Sequence, residues 1–135
     1  MQEVSGLFRY RGTYCLDADG GNVRDFSRLG VPDSLAADTR GRYRSIEPLR
    51  RVLDESGEML ASMSLRSEDS ADVYRFNTRT GRYTLLSEDN PGDVRRWVLD
   101  WKDVPRVAVS QPRRQIYGTT RTVWYRDGEG AKWQK

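Results

Sequence analysis

Along much of this chain apolar and polar residues alternate with a period of two, the mark of strands with one face turned inward. Met59, Ala61, Met63 and Leu65 fall on one side, and Leu60, Ser62 and Ser64 on the other. Three segments share one layout: a strand rich in aromatic and β-branched residues, a polar turn carrying glycine, then a second short strand. They are Thr13-Tyr-Cys-Leu-Asp-Ala-Asp-Gly-Gly-Asn-Val-Arg-Asp-Phe26, Val73-Tyr-Arg-Phe-Asn-Thr-Arg-Thr-Gly-Arg-Tyr-Thr-Leu-Leu86 and Val123-Trp-Tyr-Arg-Asp-Gly-Glu-Gly-Ala-Lys-Trp133. Each predicts a hairpin, with Gly20 and Gly21, Gly81, and Gly128 and Gly130 supplying the positive φ of a tight turn.

A further strand pair precedes each of the last two hairpins. Arg50-Arg-Val-Leu-Asp54 leads to Met59-Leu-Ala-Ser-Met-Ser-Leu65, and Arg95-Arg-Trp-Val-Leu-Asp100 leads to Pro105-Arg-Val-Ala-Val-Ser110. Leu53-Asp54 and Leu99-Asp100 lie 46 residues apart, Val73 and Val123 lie 50 apart, and the longer loop from Gln111 to Arg121 absorbs the difference. Four short strands within about 40–50 residues are the size and content of a propeller blade. The expectation is therefore an all-β chain forming a partial β-propeller of about two and a half four-stranded antiparallel blades. Its divisions are a half-blade over 7–28, a connecting loop over 29–45, a blade over 46–88 and a blade over 90–135. The loop, with Gly30, Pro32, Asp33 and Gly41, has room for one helical turn from Ser34 to Ala37. A sandwich of two facing sheets, binding protein or glycan through aromatic loops, is the alternative.

The 135 residues suit one domain. No run of about 18 apolar residues occurs, so no membrane span is expected. Met1 to Gly6 lack a basic start with an apolar stretch behind it, so no secretory signal is visible and the default expectation is cytoplasmic. Cys15 is the single cysteine, which excludes an intrachain disulfide and reads as a small buried hydrophobe. The net charge is +3, and arginine far outnumbers lysine. Arg9, Arg24, Arg44, Arg66, Arg82 and Arg106 are scattered among acids, and Arg50-Arg51, Arg95-Arg96 and Arg113-Arg114 are too short to count as basic tracts. No nucleic-acid partner is expected.

Beyond these repeats, the chain resembles a known family. Asp72-Val-Tyr-Arg-Phe-Asn-Thr-Arg-Thr-Gly-Arg82, Asn90-Pro-Gly-Asp-Val94, Trp97-Val-Leu-Asp100, Pro105-Arg-Val-Ala-Val109 and the ending Val123–Trp133 are similar to the N-terminal propeller of bacterial prolyl oligopeptidase-family serine peptidases. The likeness runs from about Ser45 onward and more loosely over the first hairpin. It implies a propeller that caps an α/β-hydrolase domain and filters the peptides reaching its Ser-Asp-His triad. No position here inherits a triad role: there is no Gly-x-Ser-x-Gly elbow, and the chain contains no histidine. The implied partners are the remainder of a propeller and a hydrolase domain, or further copies of this chain meeting through exposed blade faces.

The remaining polar clusters read as simpler features. Asp17-Ala-Asp-Gly-Gly-Asn22 has the flavour of a calcium loop, but Asn22 and Arg28 stand where glycine and glutamate belong, so a turn is expected and no metal site. Glu68, Asp69, Ser70 and Asp72 predict a solvated acidic loop. Asp54 with Glu55, and Glu88 with Asp89, read as turn formers rather than an acid–base pair. No glycine cluster precedes a helix, so no phosphate cradle or cofactor is expected. Among Trp97, Trp101, Trp124, Trp133 and Tyr117, strand position assigns Trp97 and Trp124 to the core. Trp101, in a turn, is left as the exposed contact.

Overall fold

The computed structural model describes residues 14–26, 46–54, 56–112 and 120–135. Among them the chain is all-β, with nine strands and no helix. A two-stranded sheet pairs β1 (Tyr14–Cys15) with β2 (Arg24–Asp25). A four-stranded sheet follows, in the order β3 (Ile46–Arg51), β4 (Glu58–Met63), β5 (Asp72–Asn77) and β6 (Tyr83–Leu85). A three-stranded sheet closes the chain with β7 (Val94–Leu99), β8 (Pro105–Ser110) and β9 (Thr122–Tyr125). Every pairing is antiparallel and between sequence neighbours. The connecting loop expected over 29–45, its helical turn, Tyr117, and the ends of the first half-blade at 7–13 and 27–28 lie outside the described residues.

The internal repeat is visible in these positions. Strands β7, β8 and β9 begin 48, 47 and 50 residues after β3, β4 and β5. The last offset is larger because eleven residues join β8 to β9 where eight join β4 to β5. Two expectations need correction. The final unit is not four full strands: its fourth member is a single bridge, Tyr125 with Gln134, closed by two backbone hydrogen bonds of 2.9 Å. And Leu53 and Leu99 do not occupy equivalent places. Leu99 ends β7 and packs inward, while Leu53 lies past the end of β3 in the turn, 93% exposed. β7 has two register irregularities and β3 has one, so a spacing counted on sequence alone slips between them.

Proline placement fits this layout. Pro48 stands in the edge strand β3 at a bulge, and Pro105 opens β8, both positions where a missing N–H is tolerated. Each hairpin uses one glycine at positive φ: Gly20 at 84°, Gly81 at 74° and Gly130 at 72°. Gly21 and Gly128 are not in that conformation, which corrects the expectation that both glycines of each doublet were needed. A Cβ on Gly20 would meet open space, so Gly20→Ala carries only the backbone cost of the left-handed region, about 1–2 kcal/mol. Urea unfolding should show a lower midpoint with an unchanged slope.

Among the described residues the core is two clusters separated by the four-stranded sheet. Phe26, Ile46, Ala61, Met63, Tyr74 and Phe76 form one, joined by Cys15, Met59, Leu65 and Leu85. The predicted row Met59, Ala61, Met63 and Leu65 is thus one face, packed toward the β1–β2 hairpin. Phe26 meets Phe76 edge to face with centroids 4.9 Å apart. Val73, Val94, Trp97 and Ala108 form the other cluster, joined by Leu49, Leu99, Trp124 and Trp133. That one lies between the four-stranded and three-stranded sheets. Strand β5 feeds both, Tyr74 and Phe76 to one side and Val73 to the other, so its sheet is covered on both faces.

Candidate functional site

The exposed aromatic candidate sits at the β7–β8 turn. Asp100 builds that turn: its Oδ1 accepts the Lys102 and Val104 amides at 2.8 and 3.0 Å, and its backbone oxygen accepts the Asp103 amide at 3.1 Å. Asp103 takes a positive φ of 64°, and the turn pushes Trp101 outward to 81% exposure. The Lys102 ammonium lies 4.9 Å from the Trp101 ring centroid. Burial alone would raise the Asp100 carboxyl; the Val104 and Lys102 amides and the Arg106 guanidinium outweigh it and hold the group below the usual carboxylate value. Arg50, from β3, donates to the Asp100 backbone oxygen at 2.7 Å and pairs with Asp103 at 3.2 Å. It thereby ties the β7–β8 turn to the strand leading to exposed Leu53.

The turn leaves the Trp101 ring open to solvent with the Lys102 ammonium over it. Trp101 contributes nothing to either core cluster. Trp101→Ala is expected to change unfolding free energy by no more than about 0.5 kcal/mol in a urea titration.

The densest polar chemistry lies elsewhere, where the four-stranded sheet meets the next loop, and sequence reading missed it. Asp72 is 2% exposed, not part of a solvated loop. Arg66 grips its two oxygens with paired donations of 2.8 Å. The Ser87 hydroxyl and the Asn90 amide donate to Oδ1 at 3.0 and 2.7 Å. Burial pushes this carboxyl up, and the Arg66 fork, Asn90 and Ser87 together hold it below its ordinary value. Ser70, also buried, accepts the Val94 amide at 3.0 Å. Asn90 Nδ2 and the Trp97 indole both donate to the Ala71 carbonyl, at 2.9 and 2.8 Å. The only sequence signals were an arginine six residues ahead of an aspartate and the Asn90-Pro91-Gly92 turn, each common in exposed loops.

In a hydrolytic triad a histidine stands between the serine and the carboxylate, whereas Asp72 is met directly by Ser87. Its side chain is fully buried, it accepts the Val73 amide at 2.9 Å, and it spends its own proton on Asp72. An arginine-held carboxylate is a weak base. This arrangement latches β5, the β6–β7 loop and β7 together rather than presenting a nucleophile.

The arginines act in the same way. Arg24 donates to the Thr78 carbonyl at 2.9 Å and pairs with Asp17 at 3.0 Å. Arg126 is buried; it donates to the Pro105 carbonyl and to Asp89, each at 2.7 Å, with its guanidinium carbon 4.5 Å from the Trp133 centroid. Arg75 pairs with Asp54 and Glu58. Planar guanidinium forks, which suit such bridging better than lysine, explain the arginine-rich composition.

The remaining candidates resolve individually. Trp97 is core, and Trp124 and Trp133 are half-buried against the same cluster. Asp17 uses its oxygens on Asn22 and Arg24, which hold its carboxyl below the usual value, so its loop serves as a hairpin turn. Among the described residues no three carboxylates or thiols gather as metal ligands, and no helix is long and apolar enough to cross a membrane. No model of a known protein family matches the chain, and comparison with curated proteins and with solved structures likewise finds no match.

Proposed function

We propose that this chain is a non-catalytic partial β-propeller of the kind that caps the hydrolase domain in prolyl oligopeptidase-family serine peptidases and gates their peptide substrates. The observation that carries the reading is the four-stranded sheet buried on both faces, by the hairpin before it and the sheet after it, in chain order. Sheets stacked one after another are the propeller arrangement. In a two-sheet sandwich each sheet buries a single face, so the alternative fits less well. The family assignment rests on the sequence resemblance alone, and Trp101 at its turn is the contact residue of this proposal.

The test is to read the coding frame onward from Lys135 and to assay the purified chain. A frame continuing through further strand repeats into a Gly-x-Ser-x-Gly domain, with no peptide cleavage by the 135-residue chain itself, is the expected result. A frame leading into an unrelated domain, or peptidase turnover by the chain alone, overturns it.

A further inference from the structure

An aspartate followed by glycine can cyclise onto its own backbone, because glycine has no side chain to shield its amide nitrogen. The chain holds two such pairs, Asp19–Gly20 and Asp127–Gly128, each in the turn of a hairpin of the repeated layout. Local bonding separates them. The Gly20 amide donates to the Asp17 carbonyl at 2.9 Å, and Asp19 Oδ1 accepts the Gly21 amide at 2.9 Å. Both reacting groups of that pair are thus engaged. At the second pair, neither the Asp127 carboxylate nor the Gly128 amide has a hydrogen-bond partner among the described residues, and Asp127 is exposed.

We propose that Asp127 is a site of spontaneous backbone modification, converting to isoaspartate several-fold faster than Asp19 in the folded chain. The Gly128 nitrogen bonds to the Asp127 side-chain carbonyl carbon. Its amide proton and the carboxyl oxygen leave together as one water, and a succinimide ring results. Water then reopens the ring. Attack at the side-chain carbonyl restores aspartate; attack at the main-chain carbonyl routes the backbone through the side chain and frees the α-carboxylate. Nothing is oxidised or reduced, and water is the only co-reactant.

The site lies where one added main-chain methylene has leverage. Arg126, directly before it, is buried, and its amide donates to the Arg106 carbonyl at 3.0 Å. Its guanidinium donates to the Pro105 carbonyl and to Asp89, each at 2.7 Å. On the other side of the turn, Gln134 bridges Tyr125, and Trp133 packs on the Arg126 guanidinium and against Trp97. These contacts fix the distance that residues 127–132 must span. A longer backbone at Asp127 changes that span and loosens the Tyr125–Gln134 bridge, so the fourth member of the last unit opens as the protein ages.

Prolonged incubation of the chain at neutral pH, followed by peptide mapping with an isoaspartyl-specific methyltransferase, tests this. In the folded chain the label is expected several-fold more at Asp127 than at Asp19, and in concentrated urea the two should converge. Gly128→Ala should lose most of the Asp127 label. Its added Cβ would shield the attacking nitrogen, yet it meets nothing within 4 Å, and Gly128 is not at positive φ, so the fold is kept. Equal labelling in the folded chain, a gap that persists in urea, or an unchanged label in Gly128→Ala overturns the proposal. Hydrogen exchange at the Tyr125 and Gln134 amides should quicken in the aged wild type. Isoaspartate at 127 with unchanged exchange would overturn its coupling to the bridge.

Discussion

Trp97→Ala is expected to destabilise the chain by about 3–5 kcal/mol, the cost of emptying a buried aromatic site. For a domain whose total stability is about 5–15 kcal/mol, that is a large share. The residue is nearly fully buried among Val73, Val94 and Ala108, and its ring lies 5.8 Å from that of Trp133. Its indole N–H also donates across the boundary to the Ala71 carbonyl, an acceptor that Asn90 alone would then satisfy. The loss therefore falls between two sheets rather than within one. Val98→Ala, on the opposite, exposed face of the same strand, should cost under about 1 kcal/mol. Urea unfolding of both variants measures the contrast, and near-equal losses would mean that the sheets do not pack through Trp97.

That contrast also indicates what could be read from sequence. Alternation at Met59, Ala61, Met63 and Leu65 predicted one buried face, since a period of two survives any packing partner. Leu60 and Val73 are buried as well, on the opposite face, and no alternation distinguishes a polar outer face from a second interface when small and apolar residues serve both. Trp101 was legible as exposed because turn position alone decides it. Asp72 was not. Its neighbours Glu68 and Asp69 are ordinary loop acids, and its burial depends on Ser87 and Asn90 arriving from the next connection, 15 and 18 residues on. The short fourth strand at Gln134 was over-read because a hairpin motif specifies a turn, not how far pairing extends past it.

Asp72→Ala is expected to cost about 3 kcal/mol at neutral pH, because it strands the partners of a buried ion pair. Arg66 is half exposed and regains water, so the loss sits near the low end for such pairs; Ser87 and Asn90, which also steady Val73 and Ala71, are the groups left short. The pH dependence has a definite sign. The carboxyl's folded value lies below its unfolded value of about 4. Its contribution is therefore complete above that pH and is lost as pH falls toward and through the folded value. Stability measured by urea at pH 7, 5, 4 and 3 should show the gap between wild type and Asp72→Ala narrowing only below about pH 4. Arg66→Ala separates charge from packing. It leaves the carboxylate buried with neutral donors, so the folded value rises and the acid loss begins at higher pH than in wild type. An Arg66→Ala profile superimposable on wild type would show that the guanidinium fork does not hold Asp72 ionised, and that the serine and asparagine latch carries the contact between these sheets by itself.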